Sequence, residues 1–224
     1  MYKIKTILVI LFLFSAIFST IPNSVFADKN NDTLVVAVQR MVRSIDRLYT
    51  TRREGLILAQ LTEDALFYVN PKTFKYEPLV AKSYKFIDEK TLDVTVRDNV
   101  KFHDGSTLTA DDVVYTYEWV LNKKSKARKS KTVRRWLKSV KKTGTNKIRF
   151  KFKHPYPLAL RDMSVSIYLR KKGTYHNKEK GNLTVALNGV GPYKVVEFIP
   201  GKKAVLERFN NYYKGSPKGK GSIK

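Results

Sequence analysis

Twice in this chain apolar residues take every second position while polar ones fill the places between. Leu92, Val94 and Val96 alternate with Asp93, Thr95 and Arg97, and Ile148, Phe150 and Phe152 alternate with Lys147, Arg149, Lys151 and Lys153. Successive side chains of a strand point to opposite faces, so each segment reads as a strand with one buried and one wet face. In the second the wet face is entirely basic.

Around these strands other elements can be placed. Thr33–Gln39 is a short apolar run typical of a strand buried on both faces. Leu58, Leu61, Ala65 and Leu66 are near helical spacing, which predicts a helix over 56–67 that the turn signal Asn70-Pro71-Lys72 ends. Residues 84–87 and 91–97 predict a hairpin, and His103-Asp104-Gly105-Ser106 a tight turn in which Gly105 supplies the positive φ. Thr109–Leu121 is the best-specified helix. Thr109 and Asp112 form a capping-box-like pair, and Val113, Val114, Tyr117, Val120 and Leu121 its apolar face. A second hairpin, 193–198 with 204–208, is turned by Pro200-Gly201. Strands and helices mix without regular alternation, so pattern alone gives an α+β or mixed α/β protein.

The N-terminus carries Lys3 and Lys5, the apolar stretch Ile7–Phe18, and small residues up to Ala27. That is the pattern of an export signal over 1–27, too short for a comfortable membrane span of ~20 residues. An uncleaved anchor is the alternative. No cysteine is present. That excludes disulfides, thiolate metal sites, a cysteine nucleophile and a lipid-modified cysteine, and leaves a free periplasmic protein as the expectation.

The formal net charge is +25, and from Trp119 to Arg161 sixteen Lys or Arg occur without one acidic residue. Such a field attracts anionic ligands, nucleic acid or anionic lipid, or is merely a solvated surface. Within it, Val133, Trp136, Leu137 and Val140 suit a helix packed on the core, the alternative being a basic helix lying on a membrane. No stacking or groove-reading motif accompanies the charge, so no specific nucleic-acid partner is expected.

Nothing points to an enzyme. His103, His154 and His176 lack metal-ligand spacing, and no nucleophile elbow, phosphate loop or dinucleotide fingerprint occurs. The adjacent carboxylates Glu63-Asp64 and Asp111-Asp112 do not converge on one atom, and read as capping and surface charge. No cofactor or metal is expected.

Several segments, in order, resemble one family. Pro78–Tyr84, Leu92–Asp98 with Val100–Gly105, Leu108–Val113, Gly189–Tyr193, and Pro200-Gly201 through Tyr212-Tyr213 are similar to the conserved blocks of the extracellular solute-binding proteins, family 5, which serve ABC importers of peptides and nickel. Val190, where relatives carry Thr, and the Lys-rich loop 169–181 depart from the pattern.

The resemblance implies a periplasmic-binding-protein-like fold, class II or cluster C, of which the chain holds the first lobe, the second being missing. Within it, 28–63 and 179–224 are expected to form a core subdomain and 64–178 an inserted one. The implied function is the substrate-binding component of an ABC importer for peptides or similar small solutes, impaired by truncation. The alternatives are a secreted basic anion-, nucleic-acid- or lipid-binding protein and a non-functional gene remnant. Expected partners are a peptide or other small solute and the permease subunits, with the chain itself a monomer. The cleft wall would include Thr51, Arg52, Arg53, Arg128, Lys129, Asn188 and Val190, the cations favouring a carboxylate-bearing ligand.

Overall fold

A computed structural model describes Arg40 and residues 42–175 and 188–218. The export signal over 1–27, the strand Thr33–Gln39 and His176 lie outside the described residues. Among those described, no helix is long and apolar enough to cross a membrane.

Four strands form the main sheet, in the order β3 (Ala81–Asp88), β4 (Thr91–Val96), β6 (Lys147–Phe152), β5 (Leu137–Gly144), all antiparallel. The alternation in the sequence sets the register. Leu92 faces Phe150 and Val94 faces Ile148, so one apolar face is continuous across the central pair, while Asp93 faces Arg149 and Thr95 faces Lys147 on the other. Helix α2 (Ala110–Leu121) packs on the apolar face, with the Tyr117 ring 4.9 Å from that of Phe150. Val113, Tyr117 and Val120 are buried, whereas Val114 and Leu121 are half-buried, so the apolar face is narrower than the sequence suggests. The Asp112 carboxylate accepts hydrogen bonds from both the backbone N–H (2.7 Å) and the hydroxyl (2.8 Å) of Thr109, which starts the helix where the sequence places it.

Three readings change. The first helix, α1, runs Arg53–Thr62 and stops before the expected end. Glu63 turns extended, and β1 (Phe67–Val69) then pairs with β2 (Tyr76–Pro78). The Asn70 signal is real, but it turns this hairpin: its side-chain oxygen accepts the N–H groups of Lys72 (2.9 Å) and Thr73 (3.2 Å). The basic stretch is likewise not one helix. Helix α3 (Ser130–Trp136) is short, and Leu137 opens β5, whose pairs Leu137–Phe152 and Val140–Phe150 extend the sheet's apolar face. Finally, Glu63 and Asp64 are fully buried and not surface charge.

Helix α4 (Ala159–Val165) packs against the small β1–β2 sheet, and β7 (Tyr193–Ile199) pairs with β8 (Lys203–Arg208) as the second hairpin, beside α1.

Candidate functional site

Two clusters tie the ends of this region together, and both are built on carboxylates that follow α1. The Asp64 carboxylate accepts from the hydroxyls of Tyr212 (2.8 Å) and Tyr213 (3.0 Å) and pairs with Lys218 at 2.6 Å. Lys218 also donates to the Gln60 carbonyl at 2.7 Å, which satisfies one of the open acceptors at the helix end. Neighbouring Glu63 meets Arg170, whose guanidinium is wholly buried and also pairs with Asp46 at 2.9 Å. Tyr175 closes the group by donating to Asp46 at 2.9 Å. Burial pushes the Glu63 carboxyl up to about 7, although the Arg170 charge pulls against it. Burial also raises the Tyr175 hydroxyl well above its ordinary value.

That knot holds an aromatic platform. The Tyr175 ring is near-parallel to those of Trp119 (4.8 Å, interplanar angle 21°) and, farther off, Tyr115 (6.5 Å, 20°), with Tyr49 edge-on at 5.6 Å. Trp119 donates its indole N–H to the Tyr49 hydroxyl at 2.9 Å, and the Tyr115 hydroxyl accepts the Tyr175 N–H at 2.8 Å. Tyr49, Tyr115 and Trp119 are half-buried, so they retain accessible surface.

The expected wall residues fall into two groups. Thr51, Arg52 and Arg53 are exposed at the start of α1. Arg128 joins them: its N–H donates to the Leu48 carbonyl (2.7 Å), its side chain reaches the Tyr49 carbonyl (3.4 Å), and Lys129 follows at the start of α3. Asn188 belongs to the second group. It accepts the Asp104 N–H (3.1 Å) and donates to that residue's carboxylate (2.9 Å), which also pairs with Lys171 at 2.8 Å. Against the desolvation that opposes it, hydrogen bonds from Lys171 and Ser106 hold the Asp104 carboxyl well below the usual range. Val190 packs in the core, leaving only its backbone for a wall. The glycines beside it have a steric reason: a Cβ on Gly189 would come 1.9 Å from the Thr62 carbonyl oxygen, and one on Gly191 2.4 Å from the Thr62 carbonyl carbon.

The same close approach brings the conserved-looking blocks into contact. His103 donates its backbone N–H to the Gly189 carbonyl (2.9 Å) and its ring Nε2–H to the Gly191 carbonyl (3.0 Å). Gly105 has φ 85°, as the turn requires. A family model, "Bacterial extracellular solute-binding proteins, family 5 Middle", matches residues 75–222. The chain belongs to this family.

Among family 5 proteins, the oligopeptide-binding protein AppA of Bacillus subtilis is 32% identical over 161 residues, which are 62% of this chain and 26% of AppA. The nickel-binding protein NikA of Staphylococcus aureus is 27% identical over 155 residues, 69% of this chain and 30% of NikA. The chain thus spans between about a quarter and a third of the length of these curated relatives. The solved structure of AppA with a nonapeptide matches with a TM-score of 0.69 at 28% identity, over 82% of this chain and 37% of that one. NikZ from Campylobacter jejuni, solved with Ni(L-His), shares the fold with a TM-score of 0.73 at 24% identity, over 83% and 37%. The mixed α/β architecture is therefore that of periplasmic-binding-protein-like structures, in part of their length. The relatives are solute-binding proteins rather than enzymes.

Sequence reasoning missed Asp46, Glu63, Arg170 and Tyr175, and did not single out Trp119 or Tyr115. One signal was available: Arg170 directly follows the apolar Ile167-Tyr168-Leu169, where a solvated cation is out of place. Chemically, the region offers half-buried rings beside guanidinium groups, which suits apolar or planar groups and carboxylates. Among the described residues no group of three or more His, Asp or Glu is placed to hold a metal ion.

Proposed function

We propose that this chain supplies the first lobe of an exported, non-enzymatic receptor that hands peptides or similar small solutes to the permease subunits of an ABC importer. The observation that carries the reading is the platform of Tyr49, Tyr115 and Trp119 beside Arg128 and the Thr51–Arg53 loop, in a chain of family 5. Arg52, Arg53, Arg128 and Lys129 take the carboxylate of the solute, Asn188 and the Val190 backbone contribute at the second group, and the rings take apolar side chains. AppA is an oligopeptide-binding protein, which favours peptides. The proposal includes a lobe divided into a core, 28–63 with 179–224, and an insertion, 64–178.

A solute on this lobe needs a second wall, whatever chain supplies it. Pockets gain affinity by removing most of the ligand surface from water, and binding proteins of this kind achieve it by hinge closure. Residues 1–224 alone offer one wall, and each missing charge-assisted hydrogen bond costs about 1.5–3 kcal/mol.

Calorimetry with a pool of di- to pentapeptides tests the reading. The chain alone is expected to show no saturable binding, while a fusion completed with the second lobe of a relative binds at about micromolar affinity or better. In that fusion Arg52→Glu with Arg128→Glu should weaken binding at least about tenfold. Saturable, salt-insensitive micromolar binding by the monomeric chain alone would overturn the one-wall reading, and unchanged affinity in the charge-reversed fusion would remove the cations from the site.

A further inference from the structure

The main sheet has a second face that nothing in the solute reading uses. Its register places Lys85, Asp93, Arg149 and Lys141 in one row across all four strands. Ser83, Thr95 and Lys147 form a second row, and Asp88, Thr91, Lys151 and Ser139 a third. This is the side opposite α2, and its lysines are exposed. Five cations thus share one face with two carboxylates. One of those, Asp93, is engaged by Arg149 through two 2.7 Å hydrogen bonds. The other, Asp88, is held below the usual range by hydrogen bonds in its turn, with Lys151 adding to the effect. On the edge strand β3, Ile87 is 49% exposed, whereas Phe86 pairs with Leu92 on the apolar face.

We propose that this face docks on an anionic lipid surface. Charge complementarity selects a polyanionic partner, and the rest of the face narrows the choice. A four-stranded sheet that binds single-stranded nucleic acid stacks bases on outward aromatic rings. Here Phe150 and Phe152 point into the core and the outward positions are Lys, Arg, Ser, Thr and Asp. A protein interface is usually anchored by a central aromatic or Arg side chain, and Arg149, the Arg within the four strands, is occupied by Asp93. Exposed lysines, which act as point charges, together with hydroxyls spread over one sheet face suit a layer of phosphate headgroups.

The test uses protein recovered after export and vesicles of phosphatidylcholine with about 30% phosphatidylglycerol, at about 100 mM salt. Lys141→Glu, Lys147→Glu and Lys151→Glu together should lower the vesicle-bound fraction at least about tenfold. Lys72→Glu, Lys123→Glu and Lys124→Glu, the same change of net charge at exposed sites elsewhere, should lower it less than about threefold. Equal losses in the two triples would show that only the overall charge matters, and would overturn the proposal. So would absence of binding by the parent protein. A face triple that instead loses a single-stranded oligonucleotide, while keeping the vesicles, would assign the face to nucleic acid. Melting curves of both triples should match the parent, because every altered side chain is exposed.

Discussion

Around β4, β6 and α2 the lobe is held by apolar side chains that alternate or recur at helical spacing within short segments. Around Arg170 it is held by charges and hydroxyls drawn from positions as far apart as Asp46 and Tyr175. The first region replaces water with close packing, worth about 1.5–3 kcal/mol for each fully buried side chain. The second takes a guanidinium and two carboxylates out of water and recovers the loss only while every partner is in place. The contrast separates what makes this fold stable from what makes it particular: packing tolerates exchange of similar volumes, whereas the knot tolerates no missing member.

Arg170→Met tests that contrast most severely. It leaves Asp46 and Glu63 buried without their cation, with an expected loss of about 3–5 kcal/mol measured by urea unfolding. Leu92→Ala, in the apolar region, is expected to cost about 2–5 kcal/mol through its cavity, but without altering the pH dependence of stability. If Arg170→Met cost less than about 1 kcal/mol, the knot would be an ornament of the packing and not a tie.

Glu63→Gln comes next and acts through pH. The folded carboxyl titrates at about 7 and the unfolded one near its ordinary 4.5, so the folded chain holds more protons between those values. Its contribution to stability is therefore most favourable below about 4.5 and declines as pH rises toward about 7. Glu63→Gln should remove that decline, seen as a flatter difference curve of melting temperature against pH, with Arg170 still paired to Asp46. Identical slopes in parent and variant would mean that Glu63 does not titrate in this window.

The smallest effect belongs to the apolar region. Thr109→Ala removes the hydroxyl that donates to Asp112 but keeps the backbone bond, and should cost about 1 kcal/mol.

The sequence made the first region readable because its information is local. The alternations at 92–96 and 148–152, the Thr109–Asp112 pair and the Pro200-Gly201 turn each depend on neighbours a few residues away. The knot was not readable for the converse reason. Glu63 and Asp64 look like any polar pair after a helix until Arg170, Tyr212, Tyr213 and Lys218 arrive from more than 100 positions downstream. The two misread helices share this cause. Leu66 keeps a helix-compatible spacing, yet its carbonyl accepts from Leu79 and Ala81, and Leu137 is claimed by Phe152 of β6. For the proposed site, resemblance offers residues 51–53 as an expectation, but the aromatic platform could not be read from the sequence, because its stacking joins residues 49, 115, 119 and 175 only in three dimensions.

The salt bridge from Lys218 to Asp64 also sets a clock. Asp64 leaves the ribosome 154 residues ahead of Lys218. At translation rates of about 5–20 residues per second that is a delay of roughly 8–30 s. Throughout it the end of α1 has no lysine over its open carbonyls, and the Asp64 carboxylate awaits two tyrosines and an ammonium still to be made. The nascent chain can therefore form hairpins and the capped helix early, yet it cannot lock. Any machinery that must pull the chain through a narrow channel has that interval in which to do it.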